Sequence, residues 1–302
     1  MMAVSQSSNN KNLQQILNSE NVRKRFDEML GESAGSFIST ILTIVNSNNK
    51  LKECTTGSIL SAAATAAALK LPINPSLGLA HIIPFKVNNQ YLAQFQLGWR
   101  GYVQLAMRSG QYRRINTSAV YEGQIRDIDF VTGDIVRGEK VSDEIVGYVA
   151  FFELLNGFSK VLYMKNEEII EHAKKYSMSY AADLKYGKKS SLWTTSFPAM
   201  AQKTVLKLLL SRFGIISVDS RSTDMALALR ADQSVITQDG TYRYIDNERD
   251  DTTLIAFSDV VGLQDYTADG INSDEFVQAI ESMEHIEENP PTENLNDENK
   301  TD

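Results

Sequence analysis

The chain has 302 residues, 42% hydrophobic and 23% charged, with a formal net charge of −8; that is enough for one large core or two modest ones, with the composition of an ordinary soluble protein. A single cysteine, Cys54, excludes an internal disulfide and suits a reducing cytoplasm. The Ser/Asn/Gln-rich start, Met1–Lys11, lacks the apolar run of a signal peptide, and no 18-residue apolar stretch occurs anywhere, so the expectation is a cytosolic chain with no membrane span.

In chain order, residues 12–46 read as helix, with apolar positions at Leu13, Ile16, Leu17, Phe26, Met29, Leu30, Phe37, Ile41 and Ile44. Thr56–Leu71 reads as an Ala-rich helix stopped by Pro72, its small side chains suited to close packing. Ile82–Val87 and Tyr91–Gln96 read as strands of a short hairpin around Asn88-Asn89-Gln90. Gly98–Arg108 reads as a helix, and strands follow at Tyr112–Val120, Ile125–Val131 and Ile135–Val136, with Thr132-Gly133-Asp134 as a turn. Glu144–Leu154 and Phe158–Met164 flank Leu155-Asn156-Gly157, the strongest hairpin signal in the chain. Asn166 is expected to cap a helix with Glu167 and Glu168 in its first turn. A loop rich in Tyr and Lys then leads to a long helix, about Thr195–Phe213, with Pro198 near its start. This order predicts an α+β fold: a small, mostly antiparallel sheet with flanking helices.

Charge is divided unevenly. Residues 231–302 hold 19 acids against 3 bases, a net −16, which leaves 27 bases against 19 acids, a net +8, in residues 1–230. The expected organisation is a disordered N-terminus (1–11), a basic core (12–230) and an acidic C-terminal segment (231–302), too polar from about residue 281 to stay ordered. Such a segment either solubilises the chain, competes with nucleic acid for the basic core, or docks a partner.

Several chemistries lack their residues. No Gly-x-x-x-x-Gly-Lys-Ser/Thr phosphate loop and no Gly-x-Ser-x-Gly elbow occurs. His81, His172 and His285 are far apart and have no cysteine cluster, so no zinc site is expected. Glu122, Asp127 and Asp129 are the carboxylates that a metal-dependent nuclease would use, but alternating acids beside a turn are more often a solvated edge. The expectation is a protein that is not an enzyme and needs no cofactor or metal.

The positive charge concentrates in two segments. Gly98–Arg126 has Arg100, Arg108, Arg113, Arg114 and Arg126 against one acid, Glu122. Lys185–Arg212 has Lys185, Lys188, Lys189, Lys203, Lys207 and Arg212 and no acid. At roughly 100° per residue, Arg100, Gln104 and Arg108 share one face of the first helix. On the second, Ser196, Met200, Lys203, Thr204, Lys207 and Ser211 share one face, with Phe197, Ala201, Val205, Leu208 and Leu209 on the other. Either helix alone reads as a solvated amphipathic face. Two of them beside Tyr112, Tyr121, Tyr186 and Trp193 suit a row of phosphates with rings for base stacking, which favours single strands. Trp99 and Trp193 read equally well as core residues.

The same segments, FQLGWRGYVQLAMRSGQYRRINTSAVYEGQ (Phe95–Gln124) and SLWTTSFPAMAQKTVLKLLLSRFG (Ser191–Gly214), resemble the two signature blocks of the RecT family of phage single-strand annealing recombinases. LPINPSLGLAHIIPF (Leu71–Phe85) fits the same family, and the resemblance runs from about Asn12 to Val218. It implies ATP-independent binding of single-stranded DNA and annealing to its complementary strand, in a bacterial host cytoplasm. It further implies homo-oligomeric rings or helical filaments with a continuous basic groove, built on a core related in shape to eukaryotic annealing recombinases. A partner exonuclease is implied as well, and the acidic segment could recruit a host single-strand-binding protein. Carried over residue by residue, the groove candidates are Arg100, Arg113, Arg114, Lys188, Lys189, Trp193, Lys203, Lys207 and Arg212, and the first helix's face adds Arg108. The remaining readings are a single-strand protector that does not anneal and the metal-dependent nuclease.

Overall fold

A computed structural model describes residues 13–87, 90–215 and 223–232, together with the strand pair Val235–Ile236 and Tyr242–Arg243. The expected disorder of residues 1–11 and of the chain beyond about 281, most of the acidic segment, and the turn residues Asn88 and Asn89 lie outside the described residues.

The N-terminal helical stretch is interrupted where the chain demands it. Helix α1 (Glu20–Leu30) starts after Ser19 and ends at Gly31, whose φ of 57° is left-handed, and α2 (Ala34–Ser47) resumes beyond it. A single turn, α3 (Asn49–Lys52), is capped by the Asn48 carboxamide, which accepts from the amides of Lys50 and Leu51. The Ala-rich helix α4 (Thr56–Ala68) is buried along almost its whole length, as its small side chains predict. It ends three residues before the expected point. Lys70, at φ 49°, and Leu71 turn their amides back to Ala67 O and Ala66 O in a Schellman closure.

Helix α4 packs on the hairpin of β1 (Ala80–Val87) and β2 (Gln90–Leu97), and the Ser58 hydroxyl accepts from the Ala93 amide at 2.8 Å. Helix α5 (Trp99–Arg108) follows and buries Tyr102, Leu105 and Ala106, the side its periodicity predicts. Strands β3 (Tyr112–Tyr121), β6 (Ile145–Leu154) and β7 (Ser159–Lys165) form a three-stranded antiparallel sheet in the order β3-β6-β7. Between β3 and β6 a separate hairpin projects, made of β4 (Ile125–Ile128) and β5 (Ile135–Arg137). Helices α6 (Asn166–Tyr176), α7 (Met178–Tyr186) and α8 (Leu192–Thr195) lead to α9 (Phe197–Phe213), which lies across one face of the sheet. Helix α10 (Thr223–Ala231) packs on α5 and β2.

The fold is therefore α+β, with small antiparallel sheets flanked by helices. No helix among the described residues is long and apolar enough to cross a membrane. Two further local expectations fail: the strand expected over Ile125–Val131 stops at Ile128, where the Asp129 carboxylate takes the amides of Val131 and Thr132 into a turn, and the expected cap is not made. Asn166 does not cap α6: Lys165 holds the N-cap position, its amide donates to Glu168 Oε2, and the Asn166 carboxamide instead donates to Ile145 O on β6.

Candidate nucleic-acid interface

The long helix α9 is not the amphipathic face that its lysine spacing suggested. Lys203 and Lys207 are only 5% and 4% exposed, and Met200, Thr204, Val205, Leu206, Leu209 and Leu210 around them are buried too. A helix that is apolar nearly all round belongs in the interior, and this one is wedged between the sheet and α5. Two ammoniums there need an acid. It comes from far along the chain: Asp232, 0% exposed, receives Lys203 Nζ at 2.8 Å and lies 3.2 Å from Lys207 Nζ. The Leu97 amide and the Tyr102 hydroxyl also donate to its carboxylate, at 2.8 and 2.9 Å. Burial alone would raise this carboxyl's pKa, but the two lysines outweigh it and hold the group below its usual value. Lys203 and Lys207 are thus internal counter-charges rather than a row offered to phosphates. Asp232 also carries the core past the expected boundary at residue 230.

Trp193 resolves the same way. It is buried, with its ring 6.2 Å from Tyr180 and 6.1 Å from Phe197. Arg108 is half committed, since it donates to Leu69 O at 2.6 Å and pairs with Asp224 on α10.

The other candidates reach solvent. Arg100 is exposed and lies over the Trp99 ring, 5.4 Å from its centre. Arg113 and Arg114 are consecutive, yet both reach the Glu153 carboxylate, at 3.2 and 3.4 Å. A register shift between Tyr112 and Arg114 explains how two neighbouring strand residues share one acid. Arg212 is exposed in the last turn of α9.

Lys188 and Lys189 sit on the most built-up part of this surface. Asp183, at the buried side of α7, accepts from the Ser190 and Ser191 amides at 2.9 and 2.7 Å and from the Ser190 and Thr194 hydroxyls at 2.7 and 2.8 Å. Burial opposes its ionisation, but these donors win and hold its carboxyl far below the usual range. The loop 187–191 is thereby pinned back on the end of α7, after the left-handed turn at Gly187. The result is a knuckle in which Lys185 and Lys188 lie 5.4 and 5.6 Å from the centre of the Tyr186 ring, itself 62% exposed. Lys189 is exposed beside it.

The sequence did not point to Asp183, Asp224, Glu153 or Asp232 as partners. The one available signal was the composition of α9. Leucine, valine or alanine on almost every side of Lys203 and Lys207 leaves no solvent face for them. Asp129, one of the nuclease candidates, spends its carboxylate on the amides of Val131 and Thr132 at the β4–β5 turn.

Comparison with known proteins finds the RecT family profile matching residues 35–253, a span that includes Asp183 and Asp232. The chain is 40% identical over 244 residues to the uncharacterised protein YqaK of Bacillus subtilis (strain 168), covering 80% of this chain and 77% of that one. It is 28% identical over 214 residues to the protein RecT of Escherichia coli (strain K12), covering 66% and 75%.

Proposed function

The chain belongs to the RecT family, a family of recombination and single-strand annealing proteins, and on that footing we propose that it holds single-stranded DNA on its exposed cation–aromatic surface and anneals it to a complementary strand without ATP. The observation that carries this reading is the knuckle: two lysines flanking an exposed tyrosine ring, with a third lysine adjacent. Cations reach phosphates, a ring stacks on any base, and neither reads sequence. Arg100 on Trp99, the Arg113–Arg114 pair and Arg212 extend the set of candidate contacts.

Annealing makes and breaks no covalent bond, so the reading requires no general base. It requires backbone contacts that leave base edges free for a second strand. Subunits lined up along one strand make pairing effectively intramolecular, and the proposal therefore includes homo-oligomers. It includes an exonuclease that supplies the single strand, action in a bacterial cytoplasm, and a docking role for the acidic segment toward a host single-strand-binding protein.

Binding of an unstructured oligonucleotide, followed by fluorescence anisotropy across a salt series, is expected to give log K linear in log salt, with a slope of about −0.7 per phosphate neutralised. Base composition should matter little. A flat salt response would remove the phosphate-contact reading. Adding the complementary strand without nucleotide then separates annealing from protection: a protector retards pairing and an annealing protein accelerates it.

A further inference from the structure

The β4–β5 hairpin is carefully built, yet nothing described in its own chain covers it. No residue from Tyr121 to Glu144 is buried. A two-stranded hairpin alone in water is marginal, but this one is stiffened at both ends. At its root, Gly123 (φ 83°) and Gly138 bring backbones so close that a Cβ on either would lie 2.3 Å from Glu139 O or 2.2 Å from Gly123 O. At its tip, Asp129 caps the turn and Lys160 Nζ reaches Thr132 O at 3.1 Å. This rigid turn presents Phe130 and Val131 at 94% and 76% exposure, with Ile128 and Val141 exposed behind them. Two bulky apolar side chains held ready on a pre-ordered turn have the form of a docking anchor.

Charge decides what the anchor meets. From Glu122 to Glu144 there are seven acids against three bases, a net −4. The rest of residues 1–230 then holds 24 bases against 12 acids, a net +12. A hairpin of that sign is repelled by phosphates and attracted to a basic protein surface. The rest of residues 1–230 of this same chain offers such a surface, still a net +10 (22 bases against 12 acids) when the enclosed Lys203 and Lys207 are left out. We infer that the β4–β5 hairpin is an assembly arm whose Phe130 and Val131 seat on the basic core of a second copy of the chain. Arm and seat are different surfaces, so the contact is heterologous and repeats head to tail into a ring or an open filament. The inference rests on the assembly proposed above and supplies its contact.

The test is Phe130→Ser/Val131→Ser in the full chain, compared with wild type by analytical ultracentrifugation with and without oligonucleotide. Both positions are solvated, so folding is expected to be unchanged by circular dichroism and thermal melting. Wild type is expected to assemble, less so at high salt. The variant is expected to stay monomeric at the same concentration and, because its seat is intact, to shorten wild-type assemblies when mixed in. Affinity for an oligonucleotide short enough for one subunit is expected to be unchanged, which reads the nucleic-acid proposal separately. A variant that assembles like wild type overturns the inference, as does a wild type that stays monomeric throughout. So does a folded variant that loses short-oligonucleotide binding, because the tip would then be a nucleic-acid element.

Discussion

Replacing Asp232 with asparagine is expected to destabilise the core by about 3–5 kcal/mol, the usual cost of removing one partner from a buried ion pair. The replacement keeps the shape of the side chain but leaves the ammoniums of Lys203 and Lys207 without this carboxylate, at a site that is essentially closed to water. For a core of this size, that corresponds to a fall in melting temperature of roughly 6–20 °C. Lys203→Ala/Lys207→Ala should also destabilise, because it strands the carboxylate instead. Lys207→Met in the Asp232→Asn background should recover part of the stability, since an apolar side chain of similar length suits the site. A melting temperature within a degree of wild type for Asp232→Asn would contradict the placement of Asp232 in the core.

The same cluster sets a pH dependence. The Asp232 carboxyl is held below its usual value, so its contribution is complete above about pH 4, the unfolded carboxylate range, and fades as pH falls below that. His81, which faces the cluster, has its pKa lowered by burial and then by Lys203, so it favours the fold while neutral, whereas the carboxyl does so while ionised. Its contribution begins to fade as pH falls below about 6.5. Denaturant midpoints measured from pH 7 to pH 3 should therefore fall in two stages. The stage below about pH 4 should be smaller in Asp232→Asn, and equal slopes in both proteins would count against the lysine–aspartate cluster.

The knuckle gives the largest expected effect on binding. Tyr186→Ala is expected to weaken affinity for an unstructured oligonucleotide by about 5- to 150-fold, the range for removing one base–aromatic stack worth about 1–3 kcal/mol. Lys188→Ala/Lys189→Ala is expected to reduce the salt slope by about 0.7 for each phosphate that these lysines no longer neutralise. All three side chains are exposed, so stability should move by no more than about 0.5 kcal/mol. Anisotropy titrations with matched thermal melts check both parts. A folded Tyr186→Ala protein with wild-type affinity would mean that the ring is not a stacking platform, and an unchanged slope in the double variant would take these lysines off the phosphate path. With both results, binding would fall to Arg100, Arg113, Arg114 and Arg212.

By itself the sequence determined the order of elements and the sheet class, because local rules carry that information. Apolar alternation marked β1, β2, β6 and β7. The 3.6-residue period marked the buried side of α5, where Tyr102, Leu105 and Ala106 are indeed inside. Runs of alanine marked a helix that must pack closely, and α4 does. The chain's signature blocks also pointed to its family. Tertiary structure alone decided which cations face water, because a charge is neutralised by whatever acid lies nearest in space, at any distance along the chain. Lys203 and Arg114 look alike in a sequence. One is closed in with Asp232, 29 residues away, while the other is exposed and shares Glu153 across a strand pair. The 28 acid-free residues from Lys185 to Arg212 looked like an open track because their acids lie elsewhere: Asp183 just before the run, pinning its loop, and Asp232 beyond it, entering the core from the start of the acidic segment.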